Sequence, residues 1–294
     1  MKNATAVVAA LLGLTVLGAS TRPMPTPSPP TAHRGSHVPL IRDSNAVLVL
    51  KIERFGGWGA PREGIAELPR VSAFADGRIV FPAPLADVYP SPALRPARVK
   101  LLGAQPVARL AEAAVAAGVG TGTDFGDPRI AGAQTTRITV AAAAGTHQVT
   151  ILGLHEATPG DADLTPGQQR ARAAVAAFVN QTVRVTTDAY PVSRPYVPHA
   201  LAALARPRVL PAKGMFGHPA ARIWPGPLLA ARALPGAGGF GCTVAAGRTA
   251  DRVRVAAAHA TAVTPWVCGG AVWTVTLRPL LPHERSCADL ASQW

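Results

Sequence analysis

The sequence is poor in aromatic residues and in lysine, and both shortages narrow the partners that it can bind. Aromatic residues make up 5% of the chain, and no basic run is interleaved with them in the way that stacks bases in nucleic-acid binders. Only four of the 29 basic residues are lysines, and the arginines are scattered along the chain. Binding to nucleic acid is therefore disfavoured, although the formal net charge is +13.

The sequence also lacks the common catalytic and metal-binding motifs. There is no Gly-x-Ser-x-Gly elbow and no Cys-x-x-Cys pair. Neither His155-Glu156 nor His283-Glu284 is followed by the second histidine that a zinc hydrolase needs. Asp124-Phe125-Gly126 matches the metal-binding triplet of protein kinases, but the other kinase loops are missing, so we interpret it as a turn. We predict no catalytic residue, no metal site and no cofactor.

The first twenty residues indicate the compartment. Lys2 precedes an uncharged apolar run, residues 4–19, which is short for a membrane span and typical of a secretory signal peptide. Leu17-Gly18-Ala19 resembles the lead of a lipoprotein signal, but Ser20 stands where a lipoprotein carries its lipidated cysteine. We predict that residues 1–20 are a signal peptide cleaved after Ser20, that the protein is secreted, and that it carries no lipid anchor. An uncleaved N-terminal anchor is the alternative.

The residues after the signal divide into a spacer and a folded part. Residues 21–45 contain six prolines and no apolar periodicity, which predicts a flexible spacer. We divide the rest into an N-terminal α+β unit, 46–190, and a C-terminal β-α-β-β unit, 191–294. Loss of Lys2 with the signal would leave a net charge of +12. This charge favours an anionic envelope component as the partner, with an extracellular protein as the other candidate.

The apolar periodicity predicts an α+β fold, with an antiparallel sheet built from hairpins and two to three helices packed on it. The predicted hairpins lie around Asp76-Gly77, Gly145 and Gly269-Gly270, and the predicted helices are 106–117, 166–180 and one capped by Thr249. Further strands are predicted at 46–54, 196–204, 222–225 and 241–244, after which residues 278–282 should leave the sheet. The order strand, helix, hairpin occurs twice, so a diverged duplication is an alternative to chance recurrence.

The three cysteines predict one disulfide and one free thiol. Cys268 directly precedes Gly269-Gly270, which are suited to a tight turn, so it should lie at the tip of a hairpin and stay unpaired. Cys242 and Cys287 are then the predicted pair, and they close the C-terminal unit. Their bond would add about 4 kcal/mol to the free energy of unfolding on the chain-entropy model.

Three residues are candidates for ligand binding. Trp58 lies among glycines in a predicted loop, and an exposed tryptophan there would be a binding anchor. Trp266 and Trp273, in contrast, are predicted to face one another across a hairpin or to fill the core. His283 and Glu284 lie between a turn set by proline and the predicted disulfide, although a surface salt bridge or a turn role is the favoured explanation for them.

Several segments carry a resemblance to a known group of proteins. They are Asp124-Phe125-Gly126-Asp127-Pro128, Thr135-Thr136, Trp224-Pro225 and the ending Arg278-Pro279-Leu280-Leu281-Pro282-His283-Glu284 with Cys287. Together they resemble uncharacterised secreted proteins of high-GC Gram-positive bacteria, some of which look lipid-anchored. The resemblance covers most of the chain after Asn45. It implies export and supports the pairing of Cys242 with Cys287, but it implies no activity.

These observations favour an exported, non-catalytic binding or interaction protein of the cell envelope or the medium. The first alternative is a secreted inhibitor of extracellular hydrolases, which would present a rigid loop held by disulfide-tied strands. The second alternative is an extracellular hydrolase.

Overall fold

A computed structural model describes residues 46–58, 65–85, 88–142, 145–208, 219–229, 233–235 and 237–291. The predicted signal peptide and spacer lie outside the described residues. The described part of the chain forms two β-sheets with helices packed on them, which confirms the predicted α+β class.

The first sheet is antiparallel and has seven strands within the described residues, in the order β6-β5-β1-β2-β3-β4-β7. The strands are β1 (Leu48–Gly56), β2 (Val71–Phe74), β3 (Arg78–Pro82), β4 (Ala97–Leu101), β5 (Gln134–Ala142), β6 (Gly145–Leu152) and β7 (Arg194–Pro195). The predicted hairpins at Asp76-Gly77 and Gly145 are confirmed as β2-β3 and β5-β6.

Two helices cover one face of this sheet. They are α1 (Ala104–Ala116) and α2 (Pro166–Ala189). Alternate residues of β1, Leu50 and Ile52, point towards the helices and are fully buried against Val107 of α1 and Val175 of α2. The helix predicted to end at residue 180 runs to Ala189, because Thr182 and Thr186 turn their hydroxyls back onto helix carbonyls instead of breaking the helix.

The second sheet has the order β10-β8-β12-β11-β9 within the described residues. Its strands are β8 (Ala200–Pro207), β9 (Arg222–Ile223), β10 (Gly241–Ala246), β11 (Pro265–Cys268) and β12 (Ala271–Pro279). Trp266 and Trp273 are directly opposite each other across β11 and β12 and are buried, as predicted. Helix α3 (Gly247–Ala257) buries Val253 and Ala257 on this face.

Two predictions about this part of the chain are wrong. Thr249 does not cap α3, because the helix begins at Gly247 and the Thr249 hydroxyl accepts a hydrogen bond from Arg252 (3.0 Å) within the first turns. Arg278 and Pro279 do not leave the sheet, because β12 continues to Pro279, paired with Leu201 of β8, and the strand ends only there. Leu280 and Leu281 are then buried rather than directed outwards.

The segment after β12 packs against both sheets. Leu281 lies with Phe74 and Val80 on the face of the first sheet that α1 and α2 leave open. Leu280 lies with Leu290 in a separate cluster under β8 and β10, and Leu290 belongs to the short helix α4 (Cys287–Ala291). This terminal segment, residues 280–291, therefore packs against both sheets through two separate apolar clusters.

The helices of the described residues show no membrane-spanning character, since none combines the required length with sufficient apolar content. The β-α-β-β order does recur, as β4-α1-β5-β6 and as β10-α3-β11-β12. A diverged duplication stays a hypothesis.

Candidate functional site

The exposed aromatic residue that the sequence singles out lies just beyond the end of β1. The Trp58 side chain is 88% exposed. It follows Gly56 and Gly57, both of which have a φ of 76°, a conformation that glycine adopts without strain. Its indole rests on the backbone of Gly132, where even a methyl group would overlap the ring. Three glycines therefore direct this indole into solvent and support one of its faces.

The end of β1 also carries a cation–π pair. The guanidinium carbon of Arg137 lies 4.5 Å from the centre of the Phe55 ring. Glu53 is the register partner of Arg137 on β5, and Glu53 also forms an ion pair with Lys51 (Nζ to Oε2, 3.1 Å). These side chains alternate with Leu50 and Ile52, so they project from the face opposite the helices. Lys51 and Glu53 are buried, so only the partly exposed Phe55 and Arg137 extend the surface beside Trp58.

Glu284, the second candidate, is fully buried and forms an ion pair with Arg278 of β12. The two terminal guanidinium nitrogens of Arg278 donate to the carboxylate, at 2.6 Å and 2.8 Å, and the backbone N–H of Leu281 donates to it at 2.8 Å. Burial raises the pKa of Glu284, but the charge and hydrogen bonds of Arg278 outweigh burial and hold this pKa below its ordinary value. The sequence favoured a surface salt bridge or a turn role for these residues, and the salt bridge that Glu284 forms lies in the core and not at the surface. This carboxylate is committed to the core and is not available to a ligand.

His283, the third candidate, packs between this ion pair and the first sheet. Its ring centre lies 5.7 Å from that of Phe74. Its Nδ1 is buried and has no hydrogen-bond partner among the described residues. Burial lowers the pKa of His283, and the positive charges of Lys51 and Arg278 lower it further, against the opposite effect of Glu284 and Asp289. His283 is therefore a packing residue of the terminal segment.

The low pKa of His283 predicts that the protein becomes less stable in mild acid. Its pKa in the folded protein lies below the unfolded value of about 6.5, so the unfolded chain takes up a proton first as the pH falls. The free energy of unfolding should then decrease as the pH falls below about 6.5. Glu284 does not contribute in this range, because its ordinary pKa of 4.5 already lies below it and its pKa in the folded protein is lowered from that value. Urea unfolding between pH 7.5 and 5.5 measures the slope.

The control for this prediction is His283→Gln, which cannot be protonated. We expect the variant to show a smaller loss of stability than the unmodified protein over the same pH range. Equal pH slopes for the unmodified protein and His283→Gln would contradict the prediction.

One buried polar group beside Lys51 was not predicted from the sequence. Ser72 lies opposite Lys51 across β1 and β2, and its hydroxyl is fully buried without a partner in the described part of the chain. The sequence feature that could have indicated a polar cluster here is the pair Lys51 and Glu53, two residues apart in a strand that is otherwise largely apolar. Such spacing puts both charges on one face of a sheet. The pattern does not reveal that the buried Ser72 side chain lies on the same face, opposite Lys51.

The disulfide is the clearest confirmed prediction. Cys242 of β10 and Cys287 of α4 are bonded, with their Cα atoms 6.0 Å apart. Cys268 is a free thiol at the end of β11, next to the predicted turn at Gly269 and Gly270. The bond ties the terminal segment to the edge of the second sheet.

Comparisons with other proteins give no further guidance. No protein-family model, no curated protein and no solved structure matches this chain significantly. Within the described ranges, no three His, Cys, Asp or Glu side chains come together in a way that could hold a metal ion. The candidate site therefore consists of Trp58, its glycine support and the neighbouring pair of Phe55 and Arg137.

Proposed function

We propose that this protein is an exported, non-catalytic binding protein of the cell envelope or the medium, and that Trp58 anchors its partner. The observation that carries the proposal is the 88% exposed indole of Trp58, held on Gly132. Tryptophan is strongly enriched among the residues that dominate binding energy at protein interfaces. The contact with Gly132 restricts the indole on one side, which reduces the side-chain entropy that is lost when a partner covers it.

The contrast with other tryptophans supports this role. Trp224, Trp266 and Trp273 are all buried in the core of the second sheet. Trp58 leaves most of a large apolar surface in water, which contributes nothing to folding. A binding role accounts for this exposure, since a partner would remove that surface from water.

The net charge indicates which partners to test first. The mature chain would carry +12 once Lys2 is removed with the signal peptide. A charge of this size favours association with anionic surfaces and accelerates encounter with anionic partners. An anionic component of the envelope is therefore the first candidate, and an extracellular protein is the second.

We expect Trp58→Ala to reduce binding to the envelope fraction of the source culture at least about tenfold, or about 1.4 kcal/mol. The measurement is affinity capture with the immobilised mature protein, followed by quantification of the retained material. Gly132→Ala gives an independent test, because it keeps the indole but displaces it from its contact with residue 132. It should weaken capture as well.

Ile223→Ala is the matched control, since Ile223 is a large apolar side chain, 75% exposed, on the second sheet. It should leave capture unchanged. If Trp58→Ala retains the same material in the same amount as the unmodified protein, Trp58 is not the anchor and the proposal fails.

A hydrolase inhibitor is the second candidate function, and the exposed position of Trp58 favours it, since inhibitors present an accessible side chain to their target. Titration of secreted proteases and glycosidases with a molar excess of the mature protein tests this candidate. An inhibitor would abolish one of these activities at a stoichiometric ratio, and Trp58→Ala would not.

Export has its own test. We expect the intact mass of protein recovered from the culture to correspond to a chain that begins at Thr21, without added lipid. A mass that includes Met1, or one increased by a diacylglyceryl group, would contradict this expectation.

A further inference from the structure

A groove lies between the edge of the first sheet and α3 on the second. Its volume is about 230 Å³. It is lined by Leu94 and the start of β4, by Ala257 and Ala258 at the end of α3, and by Pro279 of β12. None of these residues belongs to the Trp58 site.

The walls of the groove are apolar and stiff. Five prolines line it, and the ring of each fixes the backbone φ angle, so the shape is set before any ligand enters. Tyr196 also lines the groove, but its hydroxyl donates to the carbonyl of Leu280 (2.7 Å). Burial raises the pKa of Tyr196 well above its ordinary value, so the phenol stays neutral.

The charged residues of the groove are all of one sign. Arg95 and Arg254 line it, and none of the described lining residues is acidic. Arg95 contacts Glu67 at 3.2 Å and Arg254 contacts Asp251 at 3.6 Å. All four of these side chains are substantially exposed, and such surface pairs contribute little to stability. Either guanidinium can therefore exchange its partner for the carboxylate of a ligand at little cost.

The helix end in the groove does not oppose an anion strongly. The last turn of α3 exposes carbonyl groups, which carry partial negative charge. These carbonyls already accept hydrogen bonds from backbone N–H groups. The carbonyl oxygens of Arg254, Ala256 and Ala257 accept from the N–H groups of Ala258, His259 and Ala260, respectively. The guanidinium groups therefore dominate the local field.

From these features we infer that the groove binds a small carboxylate with a compact apolar body. The apolar body would lie between the prolines and Ala257, and the carboxylate would meet Arg95 or Arg254 in the paired geometry that guanidinium groups prefer. The volume is below the range of about 300–1,000 Å³ for drug-sized ligands. The occupant is therefore the size of a benzoate ion.

Benzoate and its neutral analogue benzamide are the probes. Each is titrated into the ¹⁵N-labelled full chain, and backbone amide shifts are followed by NMR. We expect benzoate to shift the amides around Ala97, Tyr196 and Ala257 with a millimolar dissociation constant, and benzamide to bind at least about tenfold more weakly. The double variant Arg95→Gln/Arg254→Gln should remove the difference between the two probes.

Ala258→Trp is a second variant, which fills the groove from an exposed position. It should abolish the shifts caused by benzoate, whereas Trp58→Ala should leave them intact. The results for these two variants distinguish failure of the groove proposal from failure of the Trp58 proposal. The inference is overturned if benzoate shifts no amide around the groove, if benzamide binds equally well, or if Ala258→Trp binds benzoate normally.

Discussion

Replacement of Glu284 by glutamine is expected to lower the free energy of unfolding by about 3–5 kcal/mol. Glutamine has the same shape, but it leaves the fully buried guanidinium of Arg278 without a compensating charge. The loss is large compared with the total stability of about 5–15 kcal/mol that folded domains have. Urea unfolding at pH 7.5, followed by circular dichroism, measures it.

Glu156→Gln is the matched control for this experiment. Glu156 also pairs with an arginine, Arg54, but at 3.4 Å and with both side chains partly exposed. Its replacement should cost less than about 1 kcal/mol. In addition, Arg278→Met/Glu284→Leu should be more stable than Glu284→Gln, because it leaves no unpaired charge. An unfolding midpoint of Glu284→Gln equal to that of the unmodified protein would contradict the role assigned to the ion pair.

Loss of the disulfide is expected to have a comparable effect. Cys242→Ser should lower the free energy of unfolding by about 4 kcal/mol, because the bond closes a loop with a sequence separation of 45 in the unfolded chain. The terminal segment should unfold locally before the rest of the protein, since Cys287 starts the helix that buries Leu290. Hydrogen exchange of the amides of α4 and β10 tests this localisation.

Cys268→Ser separates the bonded pair from the free thiol. Cys268 is only partly buried at the end of β11, so its replacement should cost less than about 1 kcal/mol. The assignment would be contradicted by equal losses for Cys242→Ser and Cys268→Ser, or by a non-reduced peptide map that links Cys268 to either partner.

The sequence was most informative where a local rule determines the structure. Asp76-Gly77 specifies a hairpin because these residues tolerate positive φ, and β2 and β3 pair around them. The glycines next to Trp58 predicted a loop, and the indole is exposed. The position of Cys268 beside two glycines selected the disulfide from three possible pairs.

The sequence was least informative where contacts between distant segments decide the outcome. Arg278 and Glu284 are six residues apart, and their side chains alone do not show whether the pair lies in water or in the core. The pair is buried because Leu280 and Leu281 fill two separate apolar clusters on either side of the segment. The prolines of this segment suggested a chain leaving the sheet, whereas Pro279 still pairs within it.

The measurement that tests the proposed function most directly is oxidative footprinting of the exported protein with and without the envelope fraction. Hydroxyl radicals modify accessible aromatic side chains, and mass spectrometry reports the extent at each residue. The proposal predicts strong oxidation of Trp58 in the free protein and protection when the envelope fraction is bound, while Tyr89, which is 75% exposed, stays reactive. Bound protein in which Trp58 is oxidised as readily as in the free protein would contradict the proposal.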